Sequence, residues 1–277
     1  MSRLFPDRVL IALAPAALAL VRVRGVFRPE IAEKRVLECD PRLGPEPWQG
    51  AVAALAQAAP ALRETRASIT IVLSNHFVRY ALVPWSEGLD RSAEELAFAR
   101  YCFARIHGER SKGWEIRLSD GVAGSERLAS AIDTALLQAI RACFPPSAKP
   151  RLVSLQPYLM PAFNSWRGQV KNEPVWLLLV EPQRACLARL ENGRWSAVRN
   201  TRGEFEGPDQ WAGLLERERR LVAAAGPAES VFVHAPHDAK EEEVEAGGWR
   251  FKKFLFPAPE GLALNEDARL AAAMSAL

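Results

Sequence analysis

Two histidines and a carboxylate stand close together at one point of the sequence, where they could hold a metal ion. His234, His237 and Asp238 form the pattern HxxHD after a short apolar run. Imidazole and carboxylate groups are ligands that zinc accepts. A three-residue spacing brings ligands together on a helix, whereas Pro236 indicates a loop at this place. Because no distant further ligand is evident, we expect no metal site.

The remaining polar residues do not form a catalytic pattern. His76 follows Ser74-Asn75 at the end of an apolar run, where ligand sites of α/β proteins lie, but it is more typical of a loop residue. The sequence contains no GxSxG, GxGxxG or GxxxxGK[ST] motif. The run Glu241–Glu243 is typical of a solvated surface. We therefore predict no catalytic residues, and the chain is not expected to be an enzyme.

Two similar hairpins open the two halves of the chain. The segments Val9–Gly25 and Trp176–Gly193 each contain an apolar run, a turn with proline, a second apolar run and a polar turn. This pattern predicts two strands joined by a tight connection. Its repetition indicates a duplicated α/β fold.

The hairpin turns lack the residues that bind phosphate. A phosphate-binding turn needs glycine for close approach of backbone N–H groups, with a hydroxyl or lysine nearby and usually an aspartate. The first turn, within Ala12–Ala19, has none of these, and Pro15 removes one N–H group. In the second turn, Glu181 would repel a phosphate. No nucleotide cofactor is expected.

The hydrophobic pattern places further elements around the hairpins. A helix from Ser92 carries Glu95 in a capping-box position, and Ser125–Phe144 is the strongest predicted helix, with Asp133 near its apolar face. Strands are predicted at Lys34–Cys39, Ser68–Ser74, Phe77–Trp85, Trp114–Leu118, Arg151–Leu155, Trp195–Arg199, Ser230–His234 and Trp249–Phe256, and helices at Trp48–Arg63, Pro157–Arg167, Asp209–Ala225, Ala239–Glu245 and from Asn265 to Leu277. This order predicts an α/β fold with mixed sheets.

Composition narrows the classes of function. The chain has 277 residues, 49% of them hydrophobic, and a net charge of +3 from scattered Lys and Arg, which does not indicate nucleic-acid binding. Its four cysteines are widely spaced and are predicted to be reduced core residues. No apolar run is long enough to span a membrane. The stretch Val9–Val21 imitates a signal peptide, although Pro15 and the alternating VRVRG after it favour a hairpin.

The duplicated hairpin resembles that of the actin-like (ASKHA) fold, and within it the pilus-assembly protein PilM and the cytoplasmic domain of the secretion protein GspL. Against the PilM-type pattern DIGSSSVK, the Asp falls on Ala12, the Gly on Ala14 and the Lys on Ala19. The stretch Val153–Phe163 is similar to the strand and helix that precede the second half in such proteins, and Phe77–Leu118 is similar in position to their small subdomain.

The resemblance implies duplicated actin-like (ribonuclease H-like) halves at residues 1–168 and 174–277, with a small α/β insert at about 77–118 in the first. It further implies a non-catalytic scaffold of a type IV pilus or type II secretion platform, cytoplasmic and peripheral at the inner membrane. Such a scaffold would bind the cytoplasmic tail of a PilN-like membrane protein, in a groove between the first half and the insert, and could form a homo-oligomer. The candidates for lining the groove are Tyr80, Trp85, Tyr101 and Trp114.

Two alternatives remain open at the level of sequence. One is an active kinase or ATPase of the same fold, whose ligands would lie at positions that do not align with the known motif. The other is an exported binding protein, which would require cleavage of the apolar N-terminal stretch.

Overall fold

Groups of one to three strands are separated by helices along the chain. The computed structural model describes residues 7–25, 29–63, 66–88, 92–122, 124–169, 173–221, 230–236, 243–254, 256 and 268–277. The strands are β1 Asp7–Ala14, β2 Ala17–Arg24, β3 Glu30–Glu38, β4 Ala67–Leu73, β5 Val78–Val83, β6 Trp114–Leu118, β7 Arg127–Asp133, β8 Arg151–Pro157, β9 Val175–Glu181, β10 Arg184–Glu191, β11 Arg194–Arg202, β12 Ser230–His234, β13 Glu243–Ala246 and β14 Trp249–Lys253. The α-helices are α1 Gln49–Arg63, α2 Ser92–His107, α3 Thr134–Cys143, α4 Leu159–Trp166, α5 Pro208–Leu221 and α6 Ala268–Met274, and a 3-10 helix spans Gly108–Gly113.

Two mixed sheets repeat the same arrangement. The first has the order β3-β2-β1-β4-β8, and the second has the order β11-β10-β9-β12-β14-β13. In each sheet, the first three strands in sequence form an antiparallel meander. The first strand of the meander also pairs in parallel with a later strand, β1 with β4 and β9 with β12. The two predicted hairpins and the α/β class with mixed sheets are therefore confirmed. The stretch that imitates a signal peptide forms β1 and β2 of the first sheet.

A third sheet, of order β5-β7-β6, corrects one prediction. The segment predicted as the strongest helix, Ser125–Phe144, is strand β7 followed at once by α3. Strand β7 is apolar on both faces, with Leu128, Ala129, Ala131 and Ile132 all buried. The sequence of such a strand does not alternate between apolar and polar residues. Its apolar residues therefore merge with those of the following helix into one helix-like pattern. Asp133 is the N-cap of α3, since its Oδ1 accepts a hydrogen bond from the N–H of Ala135 at 2.8 Å.

One further prediction, in the second half of the chain, differs from the structure. Glu243–Ala246 is strand β13, antiparallel to β14, and not part of a helix. Alternation of Val244 and Ala246 with glutamates favours an edge strand of this kind. Residues 237–242 and the predicted cap Asn265 lie outside the described residues.

The contacts of the described residues group the chain into two compact units. One comprises Met1–Val78, Asp133–Ser165 and Phe256–Leu277, and the other comprises Arg79–Ile132 and Trp166–Leu255. The last helix, α6, belongs to the first unit and packs on β1 and β2. The division at residues 168 and 174 and the insert limits of about 77–118 remain predictions.

All four cysteines are free, and Cys39, Cys143 and Cys186 are buried. Burial, followed by the charge of Glu38, raises the pKa of the Cys39 thiol to about 11. The prediction of free cysteines in the core is thus confirmed for these three. Cys102 is also free, but it is only partly buried. Among the described helices, none is long and apolar enough to cross a membrane.

Candidate functional site

The first hairpin turn is short and anchored by its own backbone. Strands β1 and β2 pair from Arg8 with Val23 to Ala14 with Ala17, which leaves Pro15 and Ala16 as the turn. The carbonyl oxygen of Ala16 accepts a hydrogen bond from Cys39 N at 2.9 Å. That acceptor is therefore engaged within the sheet. The turn has no glycine, hydroxyl or charged side chain with which to bind an anion.

The two positions that carry charge in the PilM-type pattern are closed by an apolar helix. Ala12 and Ala19 are direct partners in the register of β1 and β2, with exposed fractions of 6% and 2%. They form a buried cluster with Leu270, Ala273 and Met274 of α6. An ionised side chain there would lose its hydration without gaining a partner of opposite charge. The sequence alone showed the loss of charge, and the structure adds that α6 packs against these positions.

The second hairpin turn differs from the first because charged side chains lie next to it. Strands β9 and β10 leave Pro182 and Gln183 as the turn, and Gln183 has a φ of 56°. Arg184 follows, is only 4% exposed, and donates from Nη1 to Oδ1 of Asn200 at 3.3 Å. Burial, followed by the charges of Arg79 and Arg202, lowers the pKa of Arg184. Sequence analysis considered only Glu181 here and missed the arginines.

The histidine pattern does not form a metal site in the described part of the chain. His234 is 1% exposed within β12, and its Nδ1 lies 2.9 Å from the carbonyl oxygen of Phe254. His237 and Asp238 lie outside the described residues. No group of three or more His, Cys, Asp or Glu side chains could hold a metal ion among the described residues. His76 lies in the loop after β4, where its backbone N–H donates a hydrogen bond to Oγ of Ser74 at 3.1 Å.

The insert is a small sheet with one helix packed on it. Helix α2 contributes Ala99 and Phe103 to an apolar cluster with Ala81, Ile116 and Ala129 of the β5-β7-β6 sheet. The alternation of each strand directs these residues to the helix side of the sheet. At one end of α2, Glu95 pairs with Arg127 of β7 at 2.6 Å. This contact links the helix to the sheet. It also gives Glu95 a partner in another element, which the capping-box pattern does not predict.

The four predicted partner-binding residues have three different environments in the insert. Trp114 packs into the cluster beneath α2, where its ring meets those of Phe103 and His107 at centroid distances of 6.2 Å and 5.0 Å. Tyr80 is partly buried in β5. Trp85 and Tyr101 are exposed to solvent, with exposed fractions of 46% and 57%.

A residue that the sequence analysis missed connects the exposed pair. Phe98 stacks on Tyr101 with a centroid distance of 6.3 Å and an interplanar angle of 19°. Trp85 and Phe98 also line the same small cavity. We call Trp85, Phe98 and Tyr101 the aromatic strip. The three-residue spacing of Phe98 and Tyr101 could have revealed one helix face, but the place of Trp85 beside them required the tertiary structure.

Comparison with solved structures identifies known proteins of the same fold. The chain aligns with a Bacteroides thetaiotaomicron protein of actin-like ATPase fold and unknown function, at a TM-score of 0.56 and 12% identity over 83% of this chain and 82% of that one. The chain has an actin-like fold. This confirms the fold class and the duplicated arrangement expected from the hairpins.

Two further solved structures are similar to this chain in fold. One is described as the PilM–PilN type IV pilus biogenesis complex, with a TM-score of 0.57 and 16% identity over 82% of this chain and 80% of that one. The other is the cytoplasmic domain of EpsL, an inner membrane component of the type II secretion system of Vibrio cholerae, with a TM-score of 0.57 and 12% identity over 98% of this chain and 94% of that one. No protein-family model and no curated protein matches this actin-like chain.

Proposed function

We propose that this actin-like chain is a non-catalytic scaffold of a type IV pilus or type II secretion assembly platform. The observation that carries the proposal is the apolar closure of the first hairpin, where Ala12 and Ala19 pack against α6 in a fold shared with the PilM–PilN complex and EpsL. The fold is retained while the charged groups of the nucleotide-binding hairpin are gone. Such a protein acts through its surfaces.

The proposed partner is the cytoplasmic tail of a PilN-like membrane protein. The aromatic strip supports a place for the tail on the insert, because exposed aromatic rings supply large apolar contact area at small entropic cost. Trp85 and Tyr101 are the members most open to solvent. Binding of this tail would hold the protein at the cytoplasmic face of the inner membrane.

The nucleotide half of the proposal is tested by calorimetry with Mg-ATP. We expect no binding tighter than about 100 μM, a free energy of about −5.5 kcal/mol, because neither hairpin turn supplies glycine N–H groups to the phosphates. A dissociation constant well below this value would instead favour the hypothesis of an active kinase or ATPase.

The partner half is tested with a labelled peptide that copies the cytoplasmic tail of a small bitopic membrane protein encoded next to this chain. We expect Tyr101→Ala and Trp85→Ala each to weaken binding at least about tenfold, as loss of an aromatic anchor does. The matched control is Leu221→Ala, which removes an apolar side chain that is 62% exposed on α5.

Equal affinity in all three variants would show that the tail, if it binds, does not use the aromatic strip. Failure of the wild-type protein to bind the peptide, with the fold intact by circular dichroism, would contradict the partner assignment itself.

A further inference from the structure

Several strands of the first sheet begin or end at the same place. The parallel strands β1, β4 and β8 begin there, since Asp7 is level with Ala67 and Ser68 is level with Arg151. Strand β2, antiparallel to β1, ends there with Arg24. The first hairpin turn lies at the other end of β1. A site at this end of the sheet is therefore separate from both the hairpin and the insert.

A surface cavity of about 380 Å³ opens at the starts of β4 and β8. Its lining consists of Arg66, Ala67, Ser68, Lys149, Arg151 and Val153. The three cations of this lining are exposed to solvent, and the lining contains no carboxylate. We call Arg66, Lys149, Arg151 and Val153 the basic cavity. Its three side chains of like charge create a positive potential that attracts anions.

The cations of the basic cavity differ from the other arginines at this end of the sheet. Arg22 and Arg24 both pair with Asp7, at 2.7 Å and 3.7 Å. None of the carboxylates in the described part of the chain forms an ion pair with a cation of the basic cavity. The positive charge of the cavity is therefore not offset within the described residues, and it remains available to an external anion.

The apolar member of the cavity is unusually open to solvent for a strand residue. Val153 is 59% exposed. The register of β8 with β4 shifts between Ile69 and Thr70, and Val153 has no partner in that register. An irregularity of this kind redirects a side chain. An apolar side chain thus stands beside three cations at one exposed edge.

This combination fits the interface of an anionic membrane. Basic side chains contact the phosphates of the head groups, while an apolar side chain enters the boundary with the acyl chains. Mobile head groups can follow long lysine and arginine side chains, which then lose less conformational entropy than a rigid protein partner would demand. We propose that the basic cavity binds the head groups of anionic phospholipids at a membrane surface.

The lipid contact deepens the proposed function, because it rests on the location at the inner membrane. It adds a contact that needs no membrane protein and shares no residue with the aromatic strip. The structural alternative is that the cations protect the outer edge of β8 from pairing with another strand. Loss of the cations would then cause self-association of the chain and would leave lipid binding unchanged.

The experiment is sedimentation of the full chain with vesicles of phosphatidylglycerol and phosphatidylcholine in equal amounts. We expect binding to these vesicles, little binding to pure phosphatidylcholine, and release as salt rises from about 50 mM to about 300 mM. The double variant Lys149→Gln/Arg151→Gln is expected to bind about 20-fold more weakly, because each basic residue at an anionic surface contributes roughly fivefold.

The matched control is Arg110→Gln/Arg194→Gln, which removes the same charge from exposed positions in the 3-10 helix and at the start of β11. We expect the control to bind within about twofold of wild type. Circular dichroism and size-exclusion chromatography establish that both double variants remain folded and show whether either self-associates.

Three outcomes would overturn the lipid assignment. They are equal binding to both kinds of vesicle, equal weakening by the two double variants, and tighter binding to polyglutamate than to vesicles with the same loss in Lys149→Gln/Arg151→Gln. The last outcome would assign the basic cavity to an acidic protein. Because the vesicles contain no protein, failure here is distinct from failure of the tail peptide to bind, which contradicts the partner assignment instead.

Discussion

The substitution Ala12→Asp tests whether the first hairpin can hold the carboxylate of the PilM-type pattern. It restores the carboxylate of the PilM-type pattern, but at a position that is 6% exposed and packed against Leu270, Ala273 and Met274. Aspartate has a single methylene group and cannot extend its charge to solvent as lysine can. We therefore expect destabilisation and no gain of Mg-ATP binding.

The size of the effect follows from the burial of an unpaired charge. An uncompensated buried charge costs about 3–5 kcal/mol, which is a large part of the roughly 5–15 kcal/mol that stabilises a typical domain. At about 2–4 °C per kcal/mol, the melting temperature would fall by roughly 10 °C. Urea unfolding at pH 7 measures the free-energy change, and differential scanning calorimetry measures the shift in melting temperature.

The pH dependence of the same variant has a definite sign. Burial raises the pKa of the new carboxyl above its unfolded value of about 3.9, so the folded state binds a proton more tightly than the unfolded state. The deficit relative to wild type is therefore full at neutral pH and shrinks as pH falls toward about 4.

The control places the same charge in the exposed turn of the same hairpin. Ala16→Asp is expected to change the free energy of unfolding by no more than about 0.5 kcal/mol. If Ala12→Asp were as stable as Ala16→Asp, or if it bound Mg-ATP, then the packing of α6 on this position would not exclude a carboxylate there.

Three further outcomes test the structure at separate places. Asp133→Ala should lower the free energy of unfolding by about 1 kcal/mol in urea titrations, since it removes the N-cap of α3. Native Cys39, with its pKa raised from 9.0 to about 11, should react with iodoacetamide at pH 8 roughly 100-fold more slowly than the unfolded chain, and faster reaction would show that the thiol is not buried. Glu218→Gln should destabilise the protein more than Glu245→Gln does, because the Glu218 carboxylate is 4% exposed against Arg199 whereas Glu245 is 73% exposed.

The hairpins could be predicted from sequence because their signal is local. An apolar run, a proline turn and a second apolar run specify two adjacent strands, and both hairpins are present with the expected turns. The strand β7 could not be recognised in the same way. It is buried on both faces and continues into α3 without a loop. The spacing of apolar residues from Ser125 to Phe144 therefore resembles that of a single helix.

The binding residues show the same limit. A tryptophan in an alternating strand has the same local pattern whether its ring faces a helix or solvent, so Trp114 and Trp85 could not be told apart. The packing of α2 on the sheet places Trp114 against Phe103 and leaves Trp85 beside Phe98. Phe98 was missed because its role depends on Trp85, which belongs to another element.

The sequence by itself determined the duplicated hairpins, the α/β class and the absence of glycine and charge from the first turn. These are properties of neighbouring residues, so they can be read from spacing and residue type alone. The tertiary structure alone decided that α6 returns from the end of the chain to cover Ala12 and Ala19, and that Arg79, Arg184 and Arg202 act on one another. Burial and charge coupling depend on elements that are distant along the chain, and no local pattern encodes which of them will meet.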